Sequence, residues 1–485
     1  MGTLDEVKGL IKNPPKEYRS APFWGWNDRL QRENLGEQIE GFKKAGMGGF
    51  FIHSREGLET EYLSTEWMED VKFCVDKARE NDLELWIYDE DKWPSGAAGG
   101  KVSRVNPAEF TARALTMECG KAGELAVPAK LSTEEERIVT EDSDSLMCGG
   151  NRSVDENSMS GRNGGEDLAV EETMETEFLQ GVYVIQTAAD GRFIKRMKEY
   201  PTYEEAAGAC GVDEEILLLR QEISGKSEWY NGLMPPDNLN PESVKTFLKL
   251  THEHYEEVFG GSFPKEVKGF FTDEPNCCDF FSVFHEGRPW IPWSIGFTEY
   301  FIEKRGYDPQ EKLPYLFFDG EGAEKIRHDY WKTVAQRFEE SYMKQVYEWC
   351  DKRGLRTTGH ILYENDLGYQ TRVCGAAMPQ LRYLHNPGID LLGAQTDEYL
   401  TVKQCASVAH QYDRSMTISE AYGCTGWELD FSTQKWLGDW QFALGITRRC
   451  QHLALYSITG CRKRDYPPVF NYQNTWWDDN DKMEN

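Results

Sequence analysis

The chain has little positive charge and no long apolar run. Its 485 residues carry 54 Lys and Arg against 83 Asp and Glu, a formal net charge of -29. A protein with this charge repels phosphate backbones, which argues against nucleic acid as a partner. No stretch approaches the ~20 apolar residues of a membrane span, and the N-terminus lacks the apolar segment of a signal peptide. We therefore expect no membrane association and a cytoplasmic location.

Paired cysteine motifs are also missing. The twelve cysteines include no Cys-x-x-Cys pair. Cys74, Cys350 and Cys450 lie in apolar segments, where a free thiol packs as a small hydrophobic group. This usage indicates a reducing compartment and gives no metal-ligand spacing.

Short apolar runs alternate with helical patterns along the chain. Runs of this length, bounded by turn residues, are typical of strands buried on both faces. The pattern predicts an α/β fold, a (β/α)8 TIM-type barrel. The rival is an open doubly wound sheet, but no Gly-rich phosphate-binding motif follows the first strand. The predicted strands are residues 21–27, 47–53, 83–88, 267–272, 355–362, 388–392, 416–419 and 452–458, and the main predicted helices are 35–44, 64–81, 241–258, 323–353, 402–412 and 433–450.

The barrel rhythm stops between the third and fourth strands. Residues 102–237 contain strand-like pieces at 110–117, 182–187 and 216–219, and an acidic stretch at about 131–177 that we expect to be a flexible loop. The predicted organisation is therefore 1–101 for barrel strands 1–3, 102–237 for an inserted β subdomain, and 238–485 for strands 4–8 with a C-terminal extension. Because no helix is predicted after strand 8, we expect the chain to be a fragment of a longer protein.

Carboxylates stand at the ends of several predicted strands. In a β/α barrel these ends line the active site. Glu274 follows strand 4 and Glu420 follows strand 7, whereas Glu364 follows strand 5. Glycoside cleavage needs two carboxyl groups, one protonated and one ionised. We predict Glu274 as the acid, with Glu420 or Glu364 as its partner.

Aromatic and polar side chains at the same strand ends are the predicted sugar-binding groups. Aromatic faces stack on sugar rings, and carboxylates and imidazoles bind hydroxyls. Three neighbouring carboxylates, Asp89 to Asp91, also suggest calcium, although their spacing is not that of an EF-hand. Asp273 is expected to raise the pKa of Glu274 by charge repulsion. The predicted binding residues are Trp24, Trp26, His53, Asp89, Glu90, Asp91, Trp93, Asp273, His360, Tyr422 and Trp427.

Four segments carry a family resemblance. Residues 21–27 (APFWGWN), 88–96 (YDEDKWPSG), 271–275 (FTDEP) and 419–427 (SEAYGCTGW) resemble the barrel of glycoside hydrolase family 106 and its bacterial relatives. The resemblance implies an α-L-rhamnosidase-like enzyme that inverts configuration with two glutamates and a calcium ion, and that has further β domains. The placement of the acids on strands 4 and 7 also resembles the retaining barrel glycosidases, which usually have Asn where this chain has Asp273.

Two other functions are compatible with a barrel. One is a non-catalytic carbohydrate-binding barrel, or a fragment inactive without its C-terminal domains, although both candidate glutamates are present. The other is a lyase or aldolase with a Schiff-base lysine, but the nearest lysine, Lys92, lies beyond its strand and beside acidic residues. The motifs leave the sugar, the stereochemical course and the oligomeric state open.

Overall fold

The computed structural model describes residues 3–125, 177–277 and 288–485. Short helices and strands alternate over most of this length. The strands are β1 Phe23–Trp26, β2 Gly49–Ser54, β3 Glu84–Tyr88, β4 Arg113–Gly120, β5 Glu177–Thr187, β6 Phe193–Tyr200, β7 Glu215–Ile223, β8 Val267–Asp273, β9 Trp290–Trp293, β10 Asp319–Gly320, β11 Arg356–His360, β12 Asn386–Leu391, β13 Ile418–Ala421, β14 Arg448–Gln451 and β15 Ala454–Leu455.

Helices cover the outside of the barrel. Two π-helical segments, Lys249–Glu253 and Glu339–Met343, each join two successive α-helices. The α-helices are α1 Leu4–Lys12, α2 Arg32–Lys44, α3 Thr65–Glu80, α4 Lys101–Val105, α5 Pro107–Phe110, α6 Tyr203–Ala209, α7 Pro241–Leu248, α8 His254–Phe259, α9 Phe297–Arg305, α10 Ala323–Phe338, α11 Lys344–Asp351, α12 Leu367–Cys374, α13 Ala377–Leu381, α14 Tyr399–Gln411, α15 Phe431–Leu444 and α16 Asn480–Glu484.

The barrel is a closed ring of parallel strands, which confirms the predicted fold class. The strand order is β14-β13-β12-β11-β8-β3-β2-β1-β15. The eighth barrel strand is in two pieces, because β14 pairs with β13 while β15 pairs with β1 and closes the ring. The predicted helix 433–450 is too long: Gly445, at φ 114°, ends α15, and Cys450 lies in β14.

A second sheet lies beside the barrel. Its order is β10-β6-β5-β7-β4-β9, and the pairs between β4 and β7, β4 and β9, β5 and β6, and β5 and β7 are antiparallel. The three strand-like segments predicted between residues 102 and 237 are strands here. The sheet also takes β9 and β10 from the segment between β8 and β11, where no strand was predicted. The predicted flexible loop at 131–177 lies outside the described residues except for its last residue.

Aromatic side chains fill both faces of the barrel wall. Phe23 of β1 points inward and contacts the rings of Phe51, Tyr88 and Phe271, with ring centroids 4.7 to 5.9 Å apart. Such edge-to-face contacts between buried rings stabilise the centre of the barrel. This aromatic layer lies beneath the carboxyl ends of the strands and forms the floor of the site described below.

Buried ion pairs close the opposite end of the barrel. Arg448 Nη1 donates to Glu84 Oε2 at 2.7 Å, and Arg449 Nη2 donates to Glu484 Oε1 at 3.0 Å. The Glu484 carboxylate also accepts from the backbone N–H and hydroxyl of Ser20. The C-terminal helix α16 is thereby attached to the start of β1. Within the three described ranges, no helix is long and apolar enough to cross a membrane.

Candidate active site

The carboxyl ends of the barrel strands surround a cavity of about 250 Å³. Parallel pairing brings its groups together, because Asp273 of β8 is in register with His360 of β11, and Asp390 of β12 with Glu420 of β13. Its lining residues are Arg55, Trp93, Asp273, Glu274, His360, Asp390, Leu392, Glu420, His452 and Tyr466.

His360 is the hydrogen-bonding centre of the cavity. Its Nε2 lies 2.8 Å from Glu420 Oε2 and 3.2 Å from Asp273 Oδ1. Burial lowers the pKa of His360, but the charges of Asp273 and Glu420 outweigh it, and the net pKa lies well above the usual value. An imidazolium therefore stands between two carboxylates, with Nε2 hydrogen-bonded to Glu420 and in ion-pair contact with Asp273.

The two candidate glutamates have opposite pKa shifts. Burial, reinforced by the charge of Asp273, raises the pKa of Glu274 well above its usual value. Burial also acts on Glu420, but the hydrogen bond and charge of His360 outweigh it and lower the pKa. Glu274 is half-buried and sits at φ 45°, in a left-handed turn directly after β8. One carboxyl group is thus held protonated and the other ionised in the same cavity.

Asp273 is held by a tyrosine from the neighbouring strand. The Tyr88 hydroxyl donates to Asp273 Oδ2 at 2.5 Å, and burial raises the pKa of Asp273 to about 6. The backbone N–H of Asp273 donates to Ser95 Oγ, and that hydroxyl donates to Asp89 Oδ1 at 2.6 Å. These contacts position the end of β8 and the residue that follows it.

Glu364 lies behind the cavity wall. Its Oε1 accepts from the backbone N–H of Asp390 at 3.3 Å, and burial raises its pKa to about 8. Asp390 reaches the cavity itself, and its buried Oδ1 has no hydrogen-bond partner in the described structure. Glu420 and Glu274 therefore both line the cavity. Glu364 lies outside the cavity lining and accepts a hydrogen bond from the backbone of β12.

Trp24 and Trp26 do not reach the cavity. Both are fully buried on the outer face of β1, where Trp24 Nε1 donates to Gln38 of α2 at 2.8 Å and Trp26 packs against Trp67 of α3. Successive residues of a strand point to opposite sides. Because Phe23 points into the barrel, the two tryptophans face the helices, and their predicted place at the mouth is corrected.

The acidic residues after β3 organise a loop. The Glu90 carboxylate accepts from five backbone N–H groups, those of Asp91 and of residues 96–99. Asp89 accepts from Ser95, and Asp91 accepts from Ser54 at 2.6 Å and Asn231 at 2.9 Å. These carboxylates are bound by the protein, so their predicted place in the sugar-binding cavity is corrected.

Of the remaining predicted residues, two lie at the mouth and two do not. Trp93 lines the cavity, and His53 lies next to it with its ring stacked on Tyr88, centroids 3.7 Å apart. Tyr422 is buried and donates through its hydroxyl to the backbone oxygen of Gln434. Trp427 is exposed, and its Nε1 donates to the backbone oxygen of Lys463, outside the cavity lining.

Sequence reasoning missed Arg55, although it directly follows β2. Its guanidinium donates two hydrogen bonds of 2.8 Å to Asp465 and a third of 3.1 Å to His53 Nε2. It also lies 4.9 Å from the ring centroid of Trp93 and 5.6 Å from that of Tyr466. One buried cation thus joins the loop after β2, the loop after β3 and the C-terminal segment.

The described residues fit calcium poorly. Asp89, Glu90 and Asp91 accept hydrogen bonds from different parts of the protein. Two overlapping groups in the cavity, Asp273, Glu274 and His360, and His360, Asp390 and Glu420, have ligand atoms within 4.8 Å of one another. Calcium takes oxygen ligands, whereas His360, which belongs to both groups, offers a ring nitrogen. The reaction proposed below therefore uses no metal ion.

Comparisons with known proteins agree with the fold. No protein-family model matches the chain. A protein of Formosa agariphila provisionally named beta-glucuronidase is 21% identical over an alignment of 492 positions, which covers 98% of this chain and 40% of the relative. The structure of a rhamnosidase from Novosphingobium sp. PP1Y superposes with a TM-score of 0.62 at 15% identity, over 98% of this chain and 59% of that one. The chain thus spans about 40% of the length of this curated relative.

Proposed function

We propose that the protein is a glycoside hydrolase in which Glu274 is the general acid and Glu420 is its ionised partner. The observation that carries the proposal is the placement of two glutamates in one cavity with His360 hydrogen-bonded to only one of them, an arrangement that shifts the two pKa values in opposite directions. Glycoside hydrolysis needs this pairing, because one carboxyl group must give a proton while the other acts as an anion.

The proposed chemistry uses the two carboxyl groups in complementary roles. Glu274 protonates the glycosidic oxygen as the bond to the anomeric carbon breaks, and the bonding pair leaves with that oxygen. In an inverting reaction, the Glu420 carboxylate takes a proton from the water that attacks the anomeric carbon. In a retaining reaction, Glu420 attacks that carbon itself, and a water deprotonated by Glu274 then attacks the same carbon, which releases the sugar and restores both carboxyl groups. Asp273 and His360 hold these charges in place through the hydrogen bonds described above.

The proposed substrate is a carbohydrate or glycoside. The curated relative is provisionally named beta-glucuronidase, and the four sequence motifs resemble family 106, whose members act on α-L-rhamnosides. We therefore propose α-L-rhamnosides and β-D-glucuronides as the first glycosides to assay. A non-catalytic sugar-binding barrel is the second candidate by class, but the presence of both glutamates in the cavity favours catalysis.

The test measures nitrophenol release from a panel of nitrophenyl glycosides that includes both sugars. Wild type is compared with Glu274→Gln, Glu420→Gln and the exposed control Glu40→Gln. We expect turnover of at least one glycoside, a loss of about 10²-fold or more in kcat/KM for both site variants, and no change in the control. Equal activity of Glu274→Gln and wild type would contradict the assignment of the acid.

A further inference from the structure

A second recess adjoins the cavity and has no role in the proposed chemistry. It has a volume of about 550 Å³ and shares Arg55, Trp93 and Tyr466 with the cavity. We propose that this recess binds the leaving group of the substrate, and that the leaving group it accepts is a neutral aromatic ring. The inference rests on the proposed function, since a leaving group exists only if a glycoside is cleaved.

Aromatic side chains from separate parts of the chain form the wall of the recess. The rings of Trp93 and Trp229 meet edge to face with centroids 4.8 Å apart, and the ring centroid of Tyr466 lies 6.3 Å from that of Trp93. Trp229 Nε1 also donates to the backbone oxygen of Trp93. Trp229 belongs to the insertion between β3 and β8, so the insertion contributes to the recess, and none of its described residues lines the 250 Å³ cavity.

The position of the acid indicates which part of a substrate the recess receives. Glu274 follows β8, whose neighbour in the barrel is β3, and Trp93 is in the loop after β3. A general acid protonates the oxygen of the leaving group. The leaving group must therefore project from the sugar held in the cavity, and Trp93, which follows the strand beside that of the acid, lines both the cavity and the recess.

The charges around the recess are already paired. Arg55 bonds to Asp465, Lys92 lies 3.4 Å from Glu56, and Arg462 bonds to Asp28. The Ser54 hydroxyl donates to Asp91. These side chains therefore offer no unpaired charge to a charged leaving group. They also leave few polar groups to hydrogen-bond the hydroxyls of a second sugar. A flat apolar ring suits the aromatic wall better.

The test separates the ring of Trp229 from the chemistry. Wild type, Trp229→Ala and Trp229→Phe are assayed with a 4-methylumbelliferyl glycoside and with the glycosyl fluoride of the same sugar, whose leaving group is a single atom. We expect Trp229→Ala to raise KM for the aryl glycoside about three- to tenfold and to leave the fluoride unchanged. Trp229→Phe, which keeps a flat ring, is expected to stay near wild type, as is the exposed control Trp436→Ala.

Other results would overturn the inference. An equal change in KM for both substrates, or no change for either, would show that the recess does not bind the leaving group. A disaccharide that loses as much as the aryl glycoside would make the occupant a sugar.

Calorimetry separates this inference from the proposed function. Phenyl and methyl α-L-rhamnosides and β-D-glucuronides are titrated into Glu274→Gln with and without Trp229→Ala. We expect tighter binding of the phenyl compounds, and loss of that advantage in the double variant. If the protein hydrolyses no glycoside but shows this preference, the proposed function is overturned, while the recess is still a binding site for an aromatic ring. Equal binding of phenyl and methyl compounds would overturn the inference.

Discussion

Replacing His360 with glutamine should move the whole pH profile of the enzyme. His360→Gln keeps an N–H group beside Glu420 and Asp273, which lie 2.8 and 3.2 Å from Nε2, but it removes the positive charge. The charge of His360 lowers the pKa of both Glu274 and Glu420. Without it, burial acts on the two carboxyl groups with less opposition, and both pKa values should rise.

The structure sets the expected size of the shift. The variant exchanges a charge-assisted hydrogen bond worth about 1.5 to 3 kcal/mol for a neutral one worth about 0.5 to 1.5 kcal/mol. The difference is about 1 to 1.5 kcal/mol, so the acidic limb of the profile, which reports the pKa of Glu420, should move upward by about one pH unit. Glu420 must be ionised, so activity is lost as the pH falls through its pKa, and this acidic limb should move upward. Glu274 must be protonated, so activity is lost as the pH rises through its pKa, and the basic limb should move upward as well.

The assay is kcat/KM from about pH 4 to pH 10 on a glycoside that the wild type cleaves. His410→Gln, an exposed substitution on α14, is the matched control and should leave both limbs in place. A variant with lower kcat/KM but unmoved limbs would show that His360 only orients its neighbours. That result would refute the charge-based account of how the two glutamates are kept apart in protonation.

Three further substitutions test other parts of the account. Glu90→Gln should lower the free energy of unfolding by about 3 kcal/mol in urea titrations, because its carboxylate accepts five backbone N–H groups, whereas exposed Glu80→Gln should change it by less than about 0.5 kcal/mol. Trp24→Phe should cost about 1 to 3 kcal/mol of stability and leave kcat/KM within about twofold, and a tenfold loss of kcat/KM would mean that Trp24 contacts the sugar. Glu364→Gln should lower kcat/KM less than tenfold, and a loss exceeding that of Glu420→Gln would exchange their roles.

The barrel and the acid pair could be predicted because their signals are local. Each barrel strand is a short apolar run, and the residue after a parallel strand points to a known edge of the sheet. Glu274, His360 and Glu420 were found in this way, and they share one cavity. The predicted start of the helix 64–81 is also a local signal, because the side chain of Ser64 caps α3 by accepting from the backbone N–H of Trp67.

The parts that were missed depend on contacts between distant residues. A strand buried on both faces has no apolar and polar alternation, so nothing in residues 23–26 tells on which side of the strand the two tryptophans lie. The carboxylates after β3 are equivalent in sequence, and only the folded loop shows that Glu90 accepts its backbone N–H groups. Arg55 gains its place at the site from Asp465, which is 410 residues away.

The most direct test of the central claim compares leaving groups. General acid catalysis matters most when the departing oxygen is basic, so the effect of Glu274→Gln should depend on the leaving group. For phenyl and 2,4-dinitrophenyl glycosides of the same sugar, we expect kcat/KM to fall about 10²- to 10⁴-fold on the phenyl substrate and far less on the dinitrophenyl substrate. Equal losses on both substrates, or no loss on the phenyl glycoside, would contradict Glu274 as the acid.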